Sequence, residues 1–251
     1  MLFVKRDFTS QYKQTILGPL WHVIQPVFTT IMFLIVFARI ANIPTDGIHP
    51  VLFYMGGITI WNYFASCLTA TSNTFVANAG IFGKVYFPRL VIPLSTIISN
   101  IIKFFIQFGL LLVVIIYYAT KDHHLYFGYT WLLVPILVIM MALLGLGLGI
   151  IVSSLTTRYR DFSVLLTFAV QLLMYATPVA YPMSFLAGKS YAAWIKWNPL
   201  SPIVEAFRYS IFGVGTFDSS MLLYSSVFIV VLLFTGLLIF SRVEKTFMDT
   251  V

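Results

Sequence analysis

Six long apolar runs, at approximately 23–41, 51–71, 100–119, 131–155, 162–182 and 221–241, govern what this chain can fold into. About 20 consecutive apolar residues wound as helix cross the hydrocarbon of a bilayer, and helix is the only single-segment solution because lipid offers no partner to a bare backbone amide. Only 9% of the 251 residues are charged, against about a quarter in an ordinary soluble domain. A water-soluble globular fold is excluded. The expected architecture is an all-α polytopic membrane protein forming a single domain over 1–251. It has six transmembrane helices, an N-terminal amphipathic interface helix at 1–20, and short external helices before the last span.

The positive charges set the orientation. Numbering the spans in order, one side of the membrane receives Lys5, Arg6, Lys13, Lys84, Arg89, Arg158, Arg160, Arg242 and Lys245, nine of the fifteen basic residues. The other receives Arg39, Lys121, Lys189, Lys196 and Arg208, three of them in the one long loop where the positive-inside rule is weakest. Both termini are therefore expected in the cytoplasm, with the segment before the first span retained rather than cleaved as a signal. Lys103, four residues into the third span, is expected to snorkel to the cytoplasmic interface. The formal charge of +7 does not mark a nucleic-acid binder, because its basic residues sit at the ends of apolar runs rather than on one continuous face.

Three segments outside the spans have shape. Val4, Phe8, Tyr12 and Ile16 recur every four residues with Arg6, Ser10 and Lys13 opposite, describing a basic amphipathic helix that Gly18 and Pro19 end. Residues 73–93 form a cytoplasmic elbow with Gly80, Gly83, Lys84, Pro88 and Arg89. Residues 183–220 form a long external region in which Ser201 and Pro202 suit a helix start, Ile203, Phe207 and Ile211 an apolar stripe, and Gly213 and Gly215 a stop. That helix is expected to lie along the outer surface.

Enzyme chemistry finds little to work with. Asp7, Asp161, Glu244 and Asp249 lie beside cytoplasmic basic residues, Asp46, Asp122 and Asp218 are isolated in external loops, and only Glu205 has an opposite charge at helical spacing, Arg208. His22, His49, His123 and His124 offer no i, i+4 pair that would chelate a metal. Cys67 is the only cysteine, so no disulfide forms within the chain. Gly145, Gly147 and Gly149 lie inside a span with no preceding strand, and the spacing of Gly145 and Gly149 is that of close helix packing, not a dinucleotide fingerprint. No nucleotide site is present, and the cytoplasmic segments are too short for an ATPase domain. Two aromatic stripes remain: Tyr54, Trp61 and Phe64 in the second span, and Phe168, Gln171 and Tyr175 in the fifth. Rings beside an amide suit the C–H faces and hydroxyls of sugars. On composition alone, ordinary interhelical or lipid-facing packing is the favoured account of such stripes.

The chain also carries ordered blocks: Arg6-Asp7, Tyr12 to Thr15, Leu17-Gly18, Leu20-Trp21 and Pro26; Lys84 to Arg89 with Pro93-Leu94; Arg158 to Asp161; Thr177 to Pro182; Asn198 to Pro202 with Glu205 to Arg208; and Arg242 to Phe247 with Asp249. Together they resemble, from end to end, the permeases of type-2 ABC exporters that move polysaccharides. This group includes the O-antigen exporter membrane subunits of the Wzm type and the capsule and teichoic-acid permeases. The resemblance implies a single ABC-2 type transmembrane domain in the bacterial cytoplasmic (inner) membrane and not an enzyme. It implies a homodimer joined to two copies of a separate ABC ATPase, which binds ATP and Mg, and it implies no cofactor in this chain. The cargo implied is a polysaccharide on a polyprenyl-pyrophosphate lipid, O-antigen-like, with teichoic acid or capsule polymer as the alternative; a membrane enzyme acting on lipid-linked sugars is the remaining rival.

Carried onto this sequence, Lys84, Val85, Tyr86, Phe87, Pro88 and Arg89 would couple to the ATPase, and Arg6 and Lys13 would meet the pyrophosphate or anchor to lipid. The two aromatic stripes would line the polymer path. Tyr181, Trp194, Glu205 and Arg208 would belong to an external gate. For Glu205 and Arg208, polymer contact and a structural pair are both open.

Overall fold

The computed structural model describes residues 17–74, 77–78, 90–122, 128–156, 159, 161–190 and 192–247. The interface helix with Arg6 and Lys13 and the coupling segment with Lys84, Val85, Tyr86, Phe87, Pro88 and Arg89 lie outside these residues. Among the described residues the regular elements are helical. They are α1 (Gly18–Ile40, opening with a 3-10 turn and closing in a π-helical stretch), α2 (Pro50–Ser72), α3 (Val91–Asp122), α4 (Leu133–Thr156, preceded by a 3-10 turn at Tyr129–Leu132), α5 (Phe162–Tyr175), α6 (Ala192–Lys196), α7 (Leu200–Phe212) and α8 (Ser219–Phe247).

Five of these, α1, α2, α3, α4 and α8, are long and apolar enough to cross a membrane. α2, α4 and α8 begin within two residues of the expected starts, and α1 begins five residues early, at Gly18. α3 begins nine residues before the expected Asn100, because Pro93 falls in its first turn, where proline removes no hydrogen bond that the helix needs. α2 and α4 are mostly buried and form the centre, whereas α1, α3 and α8 bury only a minor share of their residues and form the periphery.

The centre is close-packed because it is built on glycine. A Cβ on Gly145 would stand 2.9 Å from Cβ of Cys67, and one on Gly149 would stand 2.5 Å from Cβ of Thr71. The GxxxG face of α4 therefore lies directly on α2, as its spacing predicts. On the other side of α4, Gly236 of α8 meets the Gly147 carbonyl, with only 3.2 Å available to a Cβ. Without a hydrophobic driving force in lipid, such close approach supplies the dispersion contact that holds helices together.

The fifth span differs from expectation. The helix occupies Phe162–Tyr175, fourteen residues, or about 21 Å at 1.5 Å per residue, short of the roughly 30 Å of hydrocarbon. Its physical cause is Pro178, which lacks an N–H and disfavours helical geometry at Thr177 before it. The chain turns there, and Thr177, Val179 and Ala180 run buried without helical structure.

Candidate functional site

Buried backbone that leaves a helix survives only where other groups satisfy its polar atoms. The segment after α5 meets that condition through side chains. The Tyr175 carbonyl accepts from the Tyr181 hydroxyl at 2.8 Å, and the Ala176 carbonyl accepts from Asn198 Nδ2 at 3.0 Å. Asn198 Nδ2 also reaches Thr177 Oγ1 at 3.1 Å, while its Oδ1 accepts the Leu200 N–H at 3.1 Å. The Val179 carbonyl accepts from Arg208 Nη2, and the Met183 N–H donates to Glu205 Oε1 at 3.4 Å. One asparagine and one ion pair thus stand in for the hydrogen bonds that a continued helix would have made.

The ion pair sits on α7. Ser201 and Pro202 fall in its first turn, and Gly213 ends it in the left-handed conformation at φ 70°. Residues 205 and 208 are one turn apart on the same face, so Arg208 Nη1 donates to Glu205 Oε1 at 3.1 Å. Arg208 is 1% exposed and Glu205 4%. The guanidinium also lies 3.8 Å from the centroid of the Phe53 ring, a cation–π contact. Its room comes from Gly57 of α2, where a Cβ would stand 2.6 Å from Nη2 and 3.0 Å from the Val179 carbonyl. Burial pushes the Glu205 carboxyl above the ordinary glutamate range, and Arg208, the Met183 N–H and the Thr216 hydroxyl pull it back.

The expectation that α7 lies along the outer surface is corrected. Ten of its thirteen residues are buried, and it packs into α2, α4 and α8. Phe207 approaches Phe108, Phe212 meets Gly56, and the Ser210 carbonyl accepts from Thr130. A helix with an apolar stripe and a paired charge sinks between neighbours rather than resting on them, because both its apolar face and its ion pair find partners there.

The remaining expected site residues separate into two groups. Tyr54, Trp61 and Phe64 are buried inside the chain's own core, so in this conformation they face no surface that a polymer could follow. Their stripe is a packing stripe: Tyr54 sits edge-on to Phe33 and Phe53, and Trp61 lies against Phe64. Phe168, Gln171 and Tyr175 instead share an exposed face of α5, with Phe168 58% and Tyr175 56% exposed. Tyr181 is half-buried and bonded to the end of α5, and Trp194 on α6 is 83% exposed. Lys103 is half-buried and lines a recess of about 20 Å³ with His22, Asn62, Asn100 and Gln107. Asn198, Val179 and Gly57 complete the clamp and were not picked out for it from sequence. The signal available was the glycine pair in an apolar span, which marks close backbone or side-chain approach.

These features define a multi-pass helical membrane protein whose buried polar chemistry holds a broken helix in place. Residues 1–212 match the ABC-2 type transporter family, and the chain belongs to that family. It is similar to an O-antigen export system permease protein RfbA of Klebsiella pneumoniae, 26% identical over 99% of this chain and 93% of the relative. A Myxococcus xanthus protein of the same name is 23% identical over 99% of this chain and 93% of its own. The polysialic acid transport protein KpsM of Escherichia coli is 24% identical over 98% and 93%.

Proposed function

We propose that the chain is the membrane-spanning permease of an ATP-driven exporter in the bacterial inner membrane. Its cargo is a polysaccharide of the O-antigen type carried on a polyprenyl pyrophosphate. The observation that carries this reading is the end-to-end similarity to relatives named for O-antigen export and for polysialic acid transport. Capsule-type polymer is the second reading, favoured by the polysialic acid relative.

A hydrophilic polymer needs a continuous path through about 30 Å of hydrocarbon. The exposed face of α5, with Phe168, Gln171 and Tyr175, supports a path closed by a second copy on a two-fold axis. Rings along it offer many shallow, similar sites, over which a chain advances without a deep trap. Tyr54, Trp61 and Phe64 hold the subunit together behind that face. The short α5 and the clamped segment after it form the remaining depth of the fifth span, which makes six crossings and places both termini in the cytoplasm. Two copies of a separate ABC ATPase act from the cytoplasm through Lys84 to Arg89, and Arg6 and Lys13 meet the lipid pyrophosphate at the inner interface. Tyr181, Trp194 and the Glu205–Arg208 helix close the external end.

The test is deletion of the gene in its host with the surface polymer measured by immunoblot. Loss of surface polymer with intracellular accumulation supports export. Unchanged surface polymer refutes it. In the complemented strain, co-purification with an ATPase whose hydrolysis falls on Phe87→Ala or Arg89→Ala supports the coupling assignment, and unchanged hydrolysis refutes it.

A further inference from the structure

Between the Met183–Leu186 turn, α6, the first two turns of α7 and the start of α8 lies a cavity of about 380 Å³, within the roughly 300–1,000 Å³ typical of small-molecule sites. On the orientation proposed above it opens on the external side. Its exposed wall is mostly apolar, with Leu186 and Met221 in the lining, while six of the thirteen lining residues carry polar side chains. Lys196 and Asp218, paired at 3.7 Å and each about half exposed, stand at the solvent side.

Two of the groups that line it have bonding capacity that the fold does not use. Ser201 is 1% exposed and its hydroxyl has no hydrogen-bond partner. Buried hydroxyls are ordinarily paired, so this one is poised for an incoming group. Glu205 commits Oε1 to Arg208 and Met183, but Oε2 accepts a single bond, from Thr216 at 3.3 Å, and a carboxylate oxygen has room for another. The clamp that holds the broken helix therefore presents a spare acceptor to the cavity.

This combination selects a ligand class. A phosphate or nucleotide would meet two carboxylates, Glu205 and Asp218, against one Lys196. A lipid acyl chain would fill the apolar wall but leave the buried Ser201 hydroxyl without a partner. A pyranose ring satisfies both: its C–H faces lie on Leu186 and Met221, and its hydroxyls donate to Glu205 and exchange a hydrogen bond with Ser201. We propose that this cavity binds one sugar ring of the polymer as it emerges, holding the emerged segment while the ATPase resets. The proposal rests on the polysaccharide reading above.

The experiment uses the full chain in lipid nanodiscs and saturation-transfer NMR. The probes are the methyl glycosides of glucose, galactose, mannose and N-acetylglucosamine, and oligosaccharides cleaved from the host's surface polymer. Two variants accompany the wild type. Ala193→Trp fills the cavity from an exposed position on α6, and Ser201→Ala removes one hydroxyl. Expected are transfer to ring protons in the wild type, its loss in Ala193→Trp, and roughly five-fold weaker binding in Ser201→Ala. No transfer from any probe, or transfer unchanged in both variants, overturns the site. The same variants are assayed for export in cells. A deletion strain that keeps its surface polymer sinks the exporter reading itself. A deletion strain that loses the polymer, rescued to wild-type rate by Ala193→Trp, sinks only the role of the cavity.

Discussion

Replacing Arg208 with methionine is the sharpest test of the clamp. Arg208 does three things at once: it donates to Glu205 Oε1 at 3.1 Å, donates to the Val179 carbonyl, and covers the Phe53 ring at 3.8 Å. Methionine keeps much of the volume and none of the donors. Removing one member of a buried ion pair destabilises by about 3–5 kcal/mol, because the other charge is left without compensation. The orphaned Val179 carbonyl adds about 1–3 kcal/mol, and Glu205 recovers part of the sum by taking up a proton. The expected net loss is therefore about 4 kcal/mol for Arg208→Met. Glu205→Gln keeps an acceptor for the guanidinium and is expected to lose about 2 kcal/mol. The double variant leaves no buried charge, so it is expected to be more stable than Arg208→Met alone. Denaturant titration of the purified chain in detergent micelles, read by tryptophan fluorescence, measures all four corners of the cycle. A loss under about 1 kcal/mol for Arg208→Met, or a double variant equal to the sum of the singles, would show that the pair is solvated and refute the clamp.

Three further outcomes follow from the geometry. Gly149→Val places a branched side chain where a Cβ alone has 2.5 Å to Thr71, so α2 and α4 must separate and stability falls by at least the roughly 1–3 kcal/mol of overpacking, read by the same titration. Asn198→Ala removes the donor to Ala176 and Thr177 and the acceptor for Leu200, and is expected to cost about 1–3 kcal/mol without altering expression of a folded chain. Trp61→Ala opens a cavity in the core and is expected to lose about 3–5 kcal/mol, whereas the exposed pair Phe168→Ala with Tyr175→Ala leaves the titration midpoint unchanged and lowers export in cells; wild-type export in that pair discards the α5 lining.

What the sequence made legible was governed by the length scale of each signal. The long apolar runs placed α1, α2, α4 and α8 close to their boundaries, and the GxxxG spacing of Gly145 and Gly149 foretold the α2 and α4 contact. The fifth run misled because Val179 and Ala180 carry the apolar stretch on past the end of α5. Hydropathy sees a buried chain and a spanning helix alike, and only Pro178 separates them. The second-span stripe misled for a related reason. An aromatic face at helical spacing reports that a surface is covered, not whether polymer, lipid or the chain's own helices cover it, and here Phe33 and Phe37 of α1 and Gly145 of α4 lie against it. Glu205 and Arg208 were found as a pair, but their partners, Val179 and Gly57, are 29 and 151 residues away in the chain from Arg208, beyond any local pattern.

The clamp also constrains how this end of the molecule can move. Separating the segment after α5 from α7 would strand a guanidinium, a carboxylate and the Val179 carbonyl together, at an energy comparable to breaking the buried pair, about 3–5 kcal/mol. A displacement that carries Thr177 to Pro182 and α7 together leaves every one of those bonds intact. α7, however, is sunk into α2, α4 and α8, whereas α5 exposes Val164, Leu165, Phe168, Leu172 and Tyr175 and packs on few neighbours. Within the single chain α5 is therefore only lightly packed, and under the exporter reading the second copy covers its exposed face.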